Sequence, residues 1–276
     1  MTGTLVVEFT KMSGAGNDFI VIDNRFYQFS DDELSELART WCPRRTAVGA
    51  DGVLALNASP GVDFRMRYFN ADGSRGTMCG NGARCLVQFA ALSGMDGSRL
   101  VFDSDAGSYS AHVTGPDSVR LHVPAPRDFR LHVAMPEASG FKQGTFIWTG
   151  TEHIVVFVPT VTMLDISHAG PLMRHAPDLG DAGANVDFVE VEDPGTLRVR
   201  TWEKGVEAET LACGTGALAS ALVAMHAGYV SGPTVHVEMP GGTLRVHAAG
   251  DPLVPDELAL EGEARVIYRG TLNMAV

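Results

Sequence analysis

The chain has 276 residues, 45% hydrophobic and 20% charged, which suits two ordinary domains with real cores and excludes a disordered or collagen-like protein. Its 33 acidic against 21 basic residues give a net charge of −12, which argues against non-specific binding of nucleic acid or anionic lipid. The longest largely apolar stretch, residues 217–230, is broken by Ser220 and His226 and is too short to span a bilayer. The first twelve residues alternate like a strand and lack a basic and apolar leader pattern, so no signal peptide is expected. Four cysteines are too few for a disulfide framework, and a reducing cytoplasmic setting is expected.

In chain order, short runs rich in Val, Ile and Phe predict strands at 5–9, 19–22, 64–69, 100–102, 119–123, 154–158, 186–191, 197–202, 235–237, 244–246 and 265–268. Three stretches predict helices. Residues 30–41 open on a capping-box pattern, Ser30 followed by Glu33. Residues 83–92 and 217–227 each follow a glycine loop.

Those two loops are near copies: Cys79-Gly80-Asn81-Gly82-Ala83 and Cys213-Gly214-Thr215-Gly216-Ala217. Each follows a strand containing an aromatic residue and precedes a helix, a strand and a glycine turn. Asn17-Asp18-Phe19-Ile20-Val21 also echoes Asn185-Val186-Asp187-Phe188-Val189. The pattern predicts two similar halves, with residues 124–128 as linker, each half placing one helix in a strongly curved sheet. The expected domains are residues 1–126, joined by the last strand at 265–276, and residues 127–264.

Glycines beside a helix start let the backbone turn tightly and leave N–H groups open to a ligand. The helix end itself favours an anion such as a carboxylate and stabilises a thiolate, which predicts lowered thiol pKa values at Cys79 and Cys213. Two such ends acting on one substrate would give a two-base racemase: one thiolate removes the Cα proton and the other thiol returns one to the opposite face. Cys42 and Cys85 read as small buried hydrophobes. Residues 214–219 also fit a dinucleotide fingerprint, but the preceding residues make a poor buried strand and the first copy ends in Cys85. With lysine only at positions 11, 142 and 204, few candidates exist for a pyridoxal-phosphate Schiff base.

At these residues the sequence resembles the diaminopimelate epimerase family. The resemblance rests on residues 9–19, on Val48-Gly49-Ala50-Asp51-Gly52, on Asn70-Ala71-Asp72-Gly73-Ser74 running into residues 78–85, on residues 183–188, and on residues 210–216. It implies an α+β fold of two pseudosymmetric domains, each a mainly antiparallel sheet around a central helix. It also implies cofactor- and metal-independent interconversion of LL- and meso-diaminopimelate in lysine and peptidoglycan-precursor biosynthesis, by a cytoplasmic homodimer acting on a small-molecule substrate. Carried over by position, it makes Cys79 and Cys213 the acid–base pair. Gly80, Asn81, Gly214 and Thr215 would donate backbone N–H groups to the α-carboxylate, and Asn17, Asn70 and Asn185 would line the pocket. Glu203 would contact the α-ammonium and, with His153, tune the thiols.

Two departures bear on the far end of the substrate. Lys204 stands where the family carries an arginine that holds the distal carboxylate, so the charge remains but the bidentate fork is lost. Thr151-Glu152 replaces an Asn-Pro pair before His153, adding a negative charge. These keep open a racemase of another amino acid on the same fold. A non-catalytic thiol or metal-binding protein using Cys79, Cys85, His153 and Cys213 is a remoter alternative, since the spacing fits no common zinc pattern.

Overall fold

Val7 and Phe9 are buried while Val6 and Glu8 face out, the two-residue period that makes the first segment strand β1 (Thr4–Gly14). The structure, a computed structural model, describes residues 4–275; residues 1–3, the start of the alternating N-terminal segment, and residue 276 lie outside the described residues. The chain forms two units, Met1–Leu121 with Gly262–Val276, and His122–Glu261.

In the first unit, β1 turns into β2 (Asn17–Asp23) through Ala15 and Gly16, both at positive φ as a tight hairpin turn requires. A helical turn, α1 (Asn24–Tyr27), leads to α2 (Asp31–Trp41). Ser30 and Glu33 close the predicted capping box, and Leu34, Leu37, Ala38 and Trp41 bury one face of α2. There follow β3 (Gly52–Asn57), β4 (Phe64–Asn70), β5 (Arg75–Gly76), α3 (Gly80–Leu92), β6 (Leu100–Ser104), β7 (Gly107–Gly115) and β8 (Ser118–His122). The pairing is antiparallel for β1–β2, β3–β4, β4–β5 and β6–β7, and parallel for β2–β3 and β4–β6. Strands β1 to β4 and β7 pack on α3.

The second unit contains β9 (Arg127–Ala134), β10 (Gln143–Trp148), β11 (Glu152–Phe157), α4 (Ile166–Arg174), β12 (Asn185–Asp193), β13 (Thr196–Glu203), β14 (Ala208–Thr210), α5 (Gly214–His226), β15 (Thr234–Met239), β16 (Gly242–Asp251) and β17 (Val254–Glu263). Its pairing repeats that of the first unit. β10–β11, β12–β13, β13–β14 and β15–β16 are antiparallel, and β11–β12 and β13–β15 are parallel. α5 is apolar almost all round and sits against β10 to β13, β15 and β16. The final strand, β18 (Arg265–Ala275), returns to the first unit and pairs antiparallel with β1. The fold is thus α+β with two pseudosymmetric halves, as the sequence predicts. Among the described residues no helix is long and apolar enough to cross a membrane.

Several elements escape the periodicity reading. β9 begins inside the expected linker and is mostly exposed, so it shows no alternation. β3, β5, β7, β10, β14 and β17 are missed as well, β3 because its buried Ala55 and Leu56 at consecutive positions mask the two-residue period. α4 carries Pro171 in its interior, which argues against a helix in sequence. The two central helices begin at Gly80 and Gly214, three residues earlier than predicted.

Strand pairing also corrects one presumed echo. β2 occupies the place of β11, whereas Asn185 opens β12, whose counterpart is β3. Asn17 and Asn185 are therefore not equivalent positions. The pairs Phe19–Gly52 and His153–Asn185 correspond instead, and the similar strings reflect two strands that each open with Asn and then bury apolar residues.

Candidate functional site

Each cysteine of the duplicated motif is the N-cap of its central helix. Cys79 has φ −140° and ψ 115°, Cys213 φ −123° and ψ 110°, and each sulfur accepts from the backbone N–H three residues on, Gly82 or Gly216, at 3.4 Å. A helix leaves its first N–H groups without intrahelical partners. In α3 these include Gly80 and Asn81, and in α5 Gly214 and Thr215. The glycines, however, do not provide a left-handed turn, since none of Gly80, Gly82, Gly214 and Gly216 has positive φ. Space is the reason at Gly216, where a Cβ would lie 2.5 Å from Asp187 Oδ1.

In the first unit the Asn81 amide donates to Asn17 Oδ1 at 2.8 Å, and the Asn17 amide donates to Asp51 Oδ2 at 2.9 Å. The fully buried Arg84 donates to Asn81 Oδ1 at 2.8 Å and holds the first turn of α3 from behind. Asn17 and Asn81 thus meet beside the Cys79 end of α3. Asn70 is engaged in its own turn: Tyr68 Oη donates to its Oδ1 at 2.6 Å and its amide donates to Ser74 Oγ at 2.9 Å. Cys85 and Cys42 are core residues, and burial pushes both thiols up to about 12.

The second unit gathers more of the predicted residues. His153 and Asn185 are partners across the parallel pair β11–β12. His153 Nδ1 lies 2.6 Å from Asp187 Oδ2, and Nε2 lies 2.9 Å from Thr215 Oγ1 and 3.2 Å from Asn185 Nδ2. Thr215 Oγ1 lies 3.3 Å from Cys213 Sγ. Thr149 Oγ1 donates to the Thr215 carbonyl at 2.9 Å, fixing the start of α5. Beyond Asn185, whose Oδ1 accepts from the Lys204 N–H at 2.7 Å, the Lys204 ammonium is ion-paired with Glu152, and Thr151 donates to the same carboxylate oxygen at 3.0 Å. The predicted cation is thus already neutralised by the neighbouring departure from the family pattern.

The thiol expectation needs correction at Cys213. Burial, then the nearby Glu203 and Asp187 carboxylates, drives its pKa well above the ordinary thiol range; the bonds from Thr215 and Gly216 pull the other way but are weaker. Desolvation outweighs the helix end. Glu203 is itself held above the usual carboxylate range by burial, which favours its neutral form.

Asp187 is the residue that sequence reasoning passed over. It lies in the quoted 183–188 block, two positions after Asn185, and a strand directs residues two apart to one face. That period, applied to Asn185, would have found it.

A family model for diaminopimelate epimerase matches residues 9–123 and 145–265. Diaminopimelate epimerase of Chlorobaculum tepidum is 46% identical over 274 residues, covering 95% of this chain and all of that protein. The Aquifex aeolicus enzyme of the same name is 36% identical, covering 98% and 99%. Among solved structures, a phenazine biosynthesis protein of the PhzF family from Bacillus anthracis superposes with a TM-score of 0.74 at 14% identity, covering 97% of this chain and 99% of that one. A hydroxyproline epimerase from Agrobacterium vitis gives 0.69 at 17% identity, with 98% and 92% covered. At such identities these two share the fold. The near full-length match to the family model and the 46% identical relative show that the chain belongs to the diaminopimelate epimerase family, a family of isomerases.

Proposed function

We propose that this enzyme interconverts LL- and meso-diaminopimelate without a cofactor, in lysine biosynthesis, using Cys79 and Cys213 as acid and base at the α-carbon. The carrying observation is the pair of cysteine N-caps, with near-identical backbone angles, at equivalent places in two units of one pairing scheme. One thiolate takes the Cα proton and the other thiol supplies a proton to the opposite face. The N–H groups of Gly80, Asn81, Gly214 and Thr215 hold the reacting carboxylate, whose charge in the enolate-like transition state they also stabilise. Glu203 contacts the α-ammonium and, with His153, tunes the thiols. Asn17, Asn70 and Asn185 line the pocket, with Thr151 and Lys204 toward the distal carboxylate. The two units serve as the two halves of the epimerase, in a cytoplasmic homodimer.

The test is exchange of Cα hydrogen for deuterium in D₂O across an amino-acid panel with no added cofactor. Exchange confined to diaminopimelate supports the proposal. Faster exchange of a monocarboxylic amino acid overturns the substrate and points to a different racemase on the same fold.

A further inference from the structure

Burial opposes ionisation of Cys213, yet a base at this position must shed its proton. The second unit contains a route. Asn185 Oδ1 accepts from the Lys204 backbone N–H, which fixes the amide orientation and turns Nδ2 toward His153. An amide nitrogen only donates, so His153 Nε2 carries the lone pair and Nδ1 carries the proton, which it donates to Asp187 Oδ2. The other oxygen of Asp187 accepts from Thr201 Oγ1 at 2.7 Å. Asp187 and His153 are both fully buried, which shields the pair from bulk solvent. In the thiol state the Thr215 hydroxyl donates to His153 Nε2, sharing that lone pair with the Asn185 amide, and its oxygen accepts from the Cys213 thiol. Once the proton has moved, the same hydroxyl donates to the thiolate.

We infer that Thr215 conveys the Cys213 proton to His153, with Asp187 as the residue that positions and charges the imidazole to receive it. The S–H bond of Cys213 breaks as a proton moves to Thr215 Oγ1, and the original Thr215 O–H proton moves to His153 Nε2. The products are a thiolate, an intact hydroxyl and an imidazolium beside the Asp187 carboxylate, with no change in total protons or charge. The reverse transfer regenerates the thiol. Glu203 on β13 acts electrostatically on both Cys213 and His153, opposing the thiolate and favouring the imidazolium, while burial raises its own pKa. The remaining groups against the ring, Asn185 and Thr201-bound Asp187, do not change charge in the transfer.

This inference rests on Cys213 being an acid–base thiol, and its readout does not require the substrate. Iodoacetamide alkylation of Cys213 is followed by peptide-resolved mass spectrometry across pH in the full-length enzyme, with Cys79 as internal control. Thr215→Val, which keeps shape and removes the hydroxyl, should slow Cys213 alkylation at neutral pH by about tenfold, equivalent to one pKa unit. Thr215→Ser should restore it, with Cys79 unchanged in both variants. Wild-type alkylation in the valine variant, or no restoration by serine, overturns the relay. An intact relay in an enzyme that fails to exchange diaminopimelate would instead overturn the substrate reading alone.

Discussion

Lys204 and Glu152 form an ion pair in which the ammonium side chain is 24% exposed and the carboxylate 32%. The lysine that replaces the family's arginine is thus matched by an acid that replaces part of its Asn-Pro pair, and the two substitutions act as one. Because the pair is partly solvated, Lys204→Ala should cost roughly 1 kcal/mol in kcat/KM for diaminopimelate, carried mainly by KM. Glu152→Gln, which releases the ammonium for a distal carboxylate, should lower KM. Steady-state kinetics on the two variants checks the pair, and a raised KM in Glu152→Gln would show that the acid itself holds substrate.

The cysteines should separate cleanly by role. Cys79→Ala and Cys213→Ala should each lower turnover by about 10²–10⁴ or more while remaining folded, as loss of an acid–base group does. Cys85→Ala removes a fully buried sulfur and should cost roughly 1–2 kcal/mol of stability with turnover retained. Urea unfolding and the deuterium-exchange assay, run side by side, tell the two classes apart.

Gly216 has a different task from a turn glycine. Its missing Cβ makes room for Asp187 Oδ1, so Gly216→Ala should displace that carboxylate and cost about 1–3 kcal/mol, the usual range for overpacking. Gly82 faces the flexible end of Leu54 at 3.1 Å, so Gly82→Ala should be milder. Thermal unfolding of the two alanine variants measures the difference.

Helices α2, α3 and α5 were legible because glycine loops and a capping box are local signals, although α3 and α5 start three residues before the predicted bounds. The alternating strands were legible where one face is buried and the other wet. β9 carries no such contrast, and α4 hides behind Pro171, whose cost is offset by burial of Ile166, Ala169 and Met173. At the site, Cys213 and Thr215 lie in the duplicated motif and His153 follows only from the family resemblance. The hydrogen-bonded chain among them is not legible, because it joins residues from β11, β12 and the start of α5 that only the fold brings together. The same holds for Cys213's acidity: a helix end is visible in sequence, while the burial that overrides it is a property of packing.

Two carboxyls should give opposite pH signatures. Burial alone would raise the Asp18 pKa, but Arg44 and Lys11, both within 2.6 Å, hold it below the ordinary aspartate value. Its contribution is therefore fully present above the unfolded-state pKa and lost as pH falls through the lower folded value. Glu203 is raised by burial, so its contribution is present in acid and lost as pH rises through the folded value. Asp18→Asn should destabilise at neutral pH, by roughly 1 kcal/mol, and have little effect in acid; Glu203→Gln should stabilise at neutral pH. Denaturant titrations at the two pH values check both signs.

The pairing of β18 with β1, from Thr4 opposite Ala275 to Ser13 opposite Arg265, also sets a timetable for synthesis. The first unit leaves the ribosome early but waits for the last eleven-residue strand before its outer edge is covered. At about 5–20 residues per second, the intervening unit can form as a complete insert while β1 still presents an open edge. A stop codon just before β18 would therefore injure the beginning of the protein, the half farthest from it in the message, and leave nascent chains with an exposed strand for chaperones to shield.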